Sequence, residues 1–264
     1  MSQLRQGQIS MKIRTSFVLV IGIVAVLALA ACGTTSSGTT PSTSPAQTHA
    51  VTKASEVEYK PAPMENWKPP AGSKYIYLTL DDGPGSNTIE ALDVLKKNDV
   101  KATFFLIGKM IRTREAMVKR IIDEGHAIGN HTYDHADLAV LSKAQIKDQL
   151  EHAAEKIGPE AGACFRPPYG AINDKVRQVA SKLGMQPVLW NLDTDDWSPN
   201  STGASITAKL LQAKPGDVIL AHDAGGDRSG TIAGLKAALP VLIKKGYEFA
   251  PVPICVAGTR EPIN

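Results

Sequence analysis

Two short motifs contain the side chains that could together hold one metal ion. Asp81 and Asp82 are adjacent, and His131 and His135 follow about fifty residues later, four positions apart. Two imidazoles and one carboxylate leave a coordination position open, as catalytic metal sites do, whereas a closed structural site uses four protein ligands. The second carboxylate could then act as a base on water. The pattern predicts a hydrolytic metal site.

Each motif also has a simpler interpretation when it is taken alone. The run Asp81-Asp82-Gly83-Pro84 has the composition of a turn before a helix. Two histidines four residues apart could merely share one face of a helical turn. The combination of the two motifs favours the metal site.

The elements that must position these side chains alternate regularly along the chain. Apolar runs typical of strands occur at 75–80, 102–106, 126–130, 164–166, 187–192, 217–222 and 247–251. Helical periods occur at 88–98, 115–124, 142–157, 173–183, 205–211 and 231–245. Strict strand and helix alternation predicts an α/β fold with a parallel sheet, closed or nearly closed into a barrel of seven or eight units.

The segment 142–157 is the clearest of the predicted helices. Ser142 and Gln145 can form a capping box, and Gly158 followed by Pro159 can end the helix. Its predicted buried stripe consists of Ile146, Leu150, Ala153 and Ile157.

Polar residues follow the predicted strands, at the point where each strand ends. These residues are Asp81, Asp82, His131, His135, Arg166, Asp193, Asp196 and His222. The carboxyl ends of barrel strands carry the active site in folds of this kind. We therefore expect these side chains to converge.

The N-terminal region has the pattern of an export signal. Lys12 and Arg14 precede a short apolar run, 17–31, that is too short for a comfortable membrane span. The small residues before Cys32 resemble a bacterial lipoprotein cleavage site, which would make Cys32 the lipid-modified first residue. An uncleaved membrane anchor is the alternative, and either interpretation predicts a location outside the cytoplasm. The segment 33–50, rich in Ser, Thr, Gly and Pro, is typical of a flexible tether.

Charge and cysteine content limit the other possibilities. The chain has 29 basic and 26 acidic residues, and three of the basic ones precede the apolar run, so the rest is balanced. This balance argues against a nucleic-acid partner. Cys164 and Cys255 could pair in an exported protein or remain buried thiols, and the sequence leaves that open.

Five ordered motifs resemble those of the polysaccharide deacetylase family, the NodB-homology carbohydrate esterases of family 4. They are 79–84 (TLDDGP), 131–135 (HTYDH), 166–169 (RPPY), 193–197 (DTDDW) and 220–222 (LAH). Leu80 stands where the family usually has Phe, at a packing position. The resemblance implies a distorted parallel barrel over 74–254, after a signal at 1–31 and a linker at 32–73, and before a tail at 255–264.

The resemblance also implies a role for individual residues. Asp82, His131 and His135 would hold the metal, Asp81 would be the general base, and Arg166 would pair with Asp81. Zinc is the expected ion, with cobalt or manganese as alternatives, because imidazoles and a carboxylate suit all three.

The remaining motif residues would serve the leaving group and the acetyl group. His222 would protonate the departing amine, with Asp196 as its partner, although Asp193 and Asp195 are close in sequence. The backbone N–H of Tyr169 would meet the oxyanion, and Trp197 with Leu220 would enclose the acetyl methyl group.

The sequence thus predicts a lipid-anchored, monomeric, metal-dependent N-deacetylase that acts on a polysaccharide outside the cell. Peptidoglycan N-acetylglucosamine is the first expectation for the substrate, and chitin-type oligomers are the second. Alternatives are an acetylxylan O-deacetylase, a hydrolase of small cyclic amides, and a glycan-binding lipoprotein without catalysis.

Overall fold

The protein is described here by a computed structural model of residues 66–258. The predicted signal, Cys32, most of the predicted linker and the end of the predicted tail lie outside the described residues. None of the helices between residues 66 and 258 combines the length and hydrophobicity that a bilayer span requires.

Short strands and helices alternate along this part of the chain. The strands are Tyr75–Asp81 (β1), Thr103–Leu106 (β2), Ala127–Asn130 (β3), Ala161–Phe165 (β4), Gln186–Pro187 (β5), Leu192–Asp193 (β6), Val218–His222 (β7) and Glu248–Phe249 (β8). The helices are Thr88–Lys97 (α1), Gly108–Ile111 (α2), Glu115–Asp123 (α3), Lys143–Ile157 (α4), Asp174–Lys182 (α5), Gly203–Leu210 (α6) and Ser229–Lys244 (α7).

The strands form one parallel sheet in the order β5-β4-β3-β2-β1-β7-β6, and β8 pairs with the start of β1. The two end strands, β5 and β6, are close in sequence but do not pair with each other. The sheet is therefore curled into a distorted barrel that stays open along this seam. The predicted α/β barrel is confirmed.

Side chains of β1 alternate between the two faces of the curled sheet. Ile76, Leu78 and Leu80 join the apolar core beneath the surrounding helices. Tyr77 belongs to a second apolar cluster with residues of β2, β3 and β4. Because side chains along a strand alternate with a period of two, Asp81 shares the face of Tyr77. The base candidate thus lies on the inner face.

The predicted strand at 187–192 is wrong as a single element. Gln186–Pro187 pairs with β4, and Leu192–Asp193 pairs with β7. Between these two short strands, the carbonyls of Val188 and Leu189 accept hydrogen bonds from the buried guanidinium of Arg166. A carbonyl that serves a side chain in this way is oriented away from a ladder. The sequence pattern shows the apolar run but not this competing donor.

The predicted start and buried stripe of α4 are confirmed. Ser142 accepts from the backbone N–H of Gln145, whose side chain accepts from the N–H of Ser142. The stripe residues are buried, and Gly158 follows the last helical residue with a positive φ of 80°.

Both ends of the described chain contact the barrel. The ring of Trp67 packs edge-on against Tyr77, 5.4 Å between centroids, and the backbone N–H of Trp67 donates to the carbonyl of Pro187. Near the other end, Cys255 forms a disulfide with Cys164 of β4. A Cβ at Gly162 would collide with the Cys255 backbone, so the close approach of this segment to β4 requires glycine there.

Candidate active site

The predicted site residues come together at the carboxyl ends of the strands. Asp81 and His222 are the last residues of β1 and β7 and are directly paired in register. His131 follows β3, and Arg166 follows β4. Asp81, His131 and His222 line one cavity of about 390 Å³, whereas Arg166 is not part of its lining. The same cavity is also lined by Asp82, His135 and the predicted substrate-contact residues Tyr169, Trp197 and Leu220.

Asp82, His131 and His135 form the group in the described chain that could hold a metal ion. One ligand atom from each lies within 4.8 Å of the others. Oδ1 of Asp82 is 3.5 Å from Nε2 of His131 and 3.2 Å from Nε2 of His135. This oxygen is buried and has no hydrogen-bond partner.

The environment of this group fits a cation. Nδ1 of His131 lies 2.8 Å from the carbonyl oxygen of Arg166, which can only accept, so Nδ1 carries the proton and Nε2 presents its lone pair. Nδ1 of His135 lies 3.2 Å from the hydroxyl of Tyr169. Burial raises the pKa of Asp82, but His131 and His135, when protonated, lower that pKa by more, to below the usual range, so Asp82 is an anion whether protons or a metal ion face it. An anionic oxygen and imidazole lone pairs that face one another form the donor set of a divalent ion.

The loop that carries the two histidines is held by polar side chains that the sequence analysis missed. Oε1 of Gln149, on α4, accepts the backbone N–H groups of Tyr133 and Asp134 at 3.0 and 3.1 Å. Oδ1 of Asn130 accepts the N–H of Thr132 at 2.8 Å. In the periodicity of α4, Gln149 falls outside the buried stripe, so the sequence offers no signal for this contact.

Asp82 and His135 adopt positive φ angles of 74° and 68°. Such angles are uncommon for residues with side chains and occur at sites where the surrounding contacts enforce them. The hydrogen bond from the His135 N–H to the hydroxyl of Thr132, at 3.0 Å, is one of those contacts.

Asp81 is paired with a fully buried arginine. Nη1 of Arg166 lies 2.8 Å from Oδ1 of Asp81 and also donates to the hydroxyl of Thr79 at 2.6 Å. The guanidinium lies 4.2 Å from the ring centroid of Phe105. Burial lowers the pKa of Arg166, and the charge of Asp81 opposes that shift. Hydrogen bonds to a carboxylate, a hydroxyl and two carbonyls satisfy the buried cation and fix its orientation.

His222 is paired with Asp196 and with neither of the neighbouring aspartates. Nδ1 of His222 lies 2.7 Å from Oδ1 of Asp196, whose Oδ2 accepts the N–H of His222 and the hydroxyl of Thr231. Asp195 instead forms an ion pair with Lys209 at 2.8 Å, and Asp193 accepts the N–H of Asp195.

The same pairing sets the protonation of both partners. Burial lowers the pKa of His222, but the hydrogen bond and charge of Asp196 raise it above its ordinary value. Burial raises the pKa of Asp196, whereas the contacts with His222 and Thr231 lower it. The pair therefore favours an imidazolium beside a carboxylate.

Aromatic and apolar side chains complete the cavity. Tyr169 and Trp197 are 73% and 56% exposed, which leaves both rings free to contact a large ligand, while Leu220 is buried. Trp190, which the sequence analysis did not single out, also lines the cavity. His126, the residue before β3, lies outside this site: its Nδ1 accepts the N–H of Ala102, and burial lowers its pKa to about 4.

Comparison with known proteins gives the same result as the fold and the site. A family model described as polysaccharide deacetylase matches residues 68–188. A peptidoglycan-N-acetylglucosamine deacetylase of Bacillus cereus is 38% identical over 201 residues, covering 74% of this chain and 94% of that protein. A chitooligosaccharide deacetylase of Bradyrhizobium is 32% identical, covering 73% of this chain and 95% of the relative.

A solved structure shares the fold at comparable similarity. The crystal structure of a peptidoglycan N-acetylglucosamine deacetylase in complex with a benzamide compound superimposes with a TM-score of 0.69 at 35% identity. The match covers 75% of this chain and 94% of that structure.

A parallel barrel with a possible Asp/His/His metal site at its strand ends defines the class of metal-dependent hydrolases. Within that class, this chain belongs to the polysaccharide deacetylase family. It is a polysaccharide N-deacetylase, an enzyme that hydrolyses carbon–nitrogen bonds other than peptide bonds.

Proposed function

We propose that this enzyme removes acetyl groups from N-acetylglucosamine residues of peptidoglycan, outside the cytoplasm and anchored to the membrane by a lipid on Cys32. The Bacillus cereus relative is named for this activity and matches this chain over nearly its whole length, which supports the choice of substrate. Chitin-type oligomers are the second candidate, because the Bradyrhizobium relative is a chitooligosaccharide deacetylase.

The observation that carries the chemistry is the presence of two separately paired titratable groups in one cavity with the candidate metal ligands. Asp81 is paired with Arg166, and His222 is paired with Asp196. A carboxylate held by a guanidinium and an imidazole held by a carboxylate, both facing one cavity, are typical of a base and an acid that act in one reaction.

In the proposed reaction, Asp82, His131 and His135 hold a divalent ion, with zinc the first choice. A bound ion of this kind supplies Lewis-acid chemistry, polarising a carbonyl and making water more acidic. Asp81, held at Oδ1 by Arg166, takes a proton from the attacking water. The backbone N–H of Tyr169 donates to the oxyanion that develops on the acetyl oxygen.

His222 completes the reaction by donating its proton to the departing amine. An amide nitrogen cannot leave as an anion, so the carbon–nitrogen bond breaks as the nitrogen receives that proton. Acetate and a free glucosamine amine are the products. Trp197 and Leu220 enclose the acetyl methyl group, and the exposed ring of Tyr169 lies at the mouth of the cavity.

The test is the release of acetate by the purified protein from peptidoglycan and from N-acetylglucosamine oligomers. We expect release that stops with a chelator and returns when zinc is restored, with peptidoglycan the better substrate. A preference for the oligomers would transfer the proposal to chitin-type glycans. Release that persists in protein shown to be free of metal would contradict the proposed metal site.

A further inference from the structure

The segment Asp223–Arg228, which joins β7 to α7, contributes Arg228 to the cavity wall and has no role in the proposed reaction. It approaches the candidate metal site closely, since a Cβ on Gly225 would collide with Oδ2 of Asp82. Gly225 has a positive φ of 75°, a second reason why this position suits glycine. Arg228 is the residue of this segment whose side chain lines the cavity and bridges to another loop.

Arg228 is largely buried, with 9% of the residue exposed. Its Nε donates to the carbonyl of Ala224 at 2.8 Å, and its Nη2 donates to the carbonyl of Gly225 at 3.3 Å. Its Nη1 reaches across to the carbonyl of Asp196 at 2.9 Å. All three bonds go to backbone carbonyls, so this largely buried side chain connects two loops.

The loop that Arg228 reaches is the one that orients His222. Arg228 donates a hydrogen bond to the backbone carbonyl of Asp196. The carboxylate of Asp196 in turn contacts both Nδ1 and the backbone N–H of His222. Arg228 itself is anchored by its backbone N–H, which donates to the side chain of Asn87 at 2.9 Å. The Arg228 side chain therefore links Asp196, the partner of the proposed acid, to the segment that lies beside Asp82.

We propose that Arg228 is a positioning residue for proton transfer: it fixes the Asp196 loop so that Asp196 holds His222 against the reacting nitrogen. The proposal rests on the roles of His222 and Asp196 in the proposed function. The planar guanidinium reaches three carbonyls in fixed directions, which a lysine ammonium on a flexible stem cannot reproduce. A small displacement of an acid from its reacting atom reduces turnover without changing how the substrate is bound.

The test uses Arg228→Lys and Arg228→Met in the full chain, each alone and combined with Asp196→Asn. We expect kcat for acetate release to fall about ten- to hundredfold, while KM stays within about twofold. Because Arg228 acts through Asp196, the combined variant should be no slower than Asp196→Asn alone. Arg120→Lys, which alters a surface ion-pair network with Asp93 and Glu124, is the matched control and should leave kcat unchanged.

Rates are expressed per folded molecule, from the melting curve of each variant, so that lost stability is not counted as lost catalysis. An unchanged kcat in Arg228→Lys, even with a lower melting midpoint, overturns the proposal and leaves Arg228 a scaffold residue. A raised KM with unchanged kcat overturns it in favour of substrate binding. Additive losses with Asp196→Asn show that Arg228 acts independently of Asp196. A wild-type chain that releases no acetate overturns the proposed function and this inference with it.

Discussion

At the scale of single residues, the site separates metal binding from proton transfer. The side chains of Asp81 and His222 are each held by a partner that is not a candidate ligand, Arg166 and Asp196. Removing either proton-transfer group therefore leaves the Asp82, His131 and His135 donors in place.

Replacing the proposed acid or base should slow turnover strongly without affecting metal binding. We expect His222→Ala and Asp81→Asn to lower kcat about 10²–10⁴-fold, the range typical of general acid–base catalysis. Metal content, measured on the same samples, should match the wild type, whereas His131→Ala should lose the ion. Loss of metal from either proton-transfer variant would show that its residue is a ligand.

The pairing of His222 with Asp196 should set the alkaline limit of activity. Because Asp196 raises the pKa of His222, the imidazole stays protonated to a higher pH, and kcat should fall as the pH rises through that pKa. Asp196→Asn removes the negative charge, so the falling limb of the kcat profile should move to lower pH. Asp195→Asn, whose carboxylate pairs with Lys209, is the control and should not move it. A limb that stays in place in Asp196→Asn would show that another group titrates there.

At the scale of elements, the disulfide ties β4 to the short 3-10 turn Pro253–Cys255. Cys164 and Arg166 are two residues apart, so the bond braces the strand from which the partner of the base projects. A cross-link between residues 91 positions apart restricts the unfolded chain strongly.

Loss of that bond should lower stability. We expect Cys255→Ala to lower the free energy of unfolding by about 2–4 kcal/mol, and the melting midpoint by roughly 4–16 °C. Cys164→Ala should cost a similar amount, and the double variant little more than either single variant. Fully additive costs in a melting experiment would indicate two buried thiols that act separately.

At the scale of the whole molecule, strand order explains why residues far apart in sequence meet. The central strand β1 lies between β2 and β7, so Asp81 at its end is adjacent to residues from both halves of the chain. The open seam between β5 and β6 leaves Val188 and Leu189 free to bind Arg166.

The proposed location is a property of the whole chain and depends on Cys32. A lipid on this residue would hold the enzyme at the membrane, because each buried methylene adds to the affinity. Cys32→Ala should move the protein from the membrane fraction to the soluble extracellular fraction while leaving kcat unchanged. Retention of Cys32→Ala in the membrane fraction would favour an uncleaved apolar anchor over lipidation.

Local pattern in the sequence was sufficient for most of the element types and for the expectation that the polar residues converge at the strand ends. Apolar alternation gave the strands, and Ser142 with Gln145 gave the start of α4, because caps and periodicity depend on neighbours along the chain. The polar residues after each strand indicated the catalytic end, because parallel strands all end on one side.

The contacts between those elements were decided by the tertiary structure alone. It pairs His222 with Asp196, which the family resemblance implied but local pattern could not choose from three nearby aspartates, and it joins Cys164 to Cys255. It also brings Gln149 and Arg228 to loops that their own sequence neighbours do not indicate. These contacts depend on strand order, register and side-chain direction, which arise only when distant segments pack together.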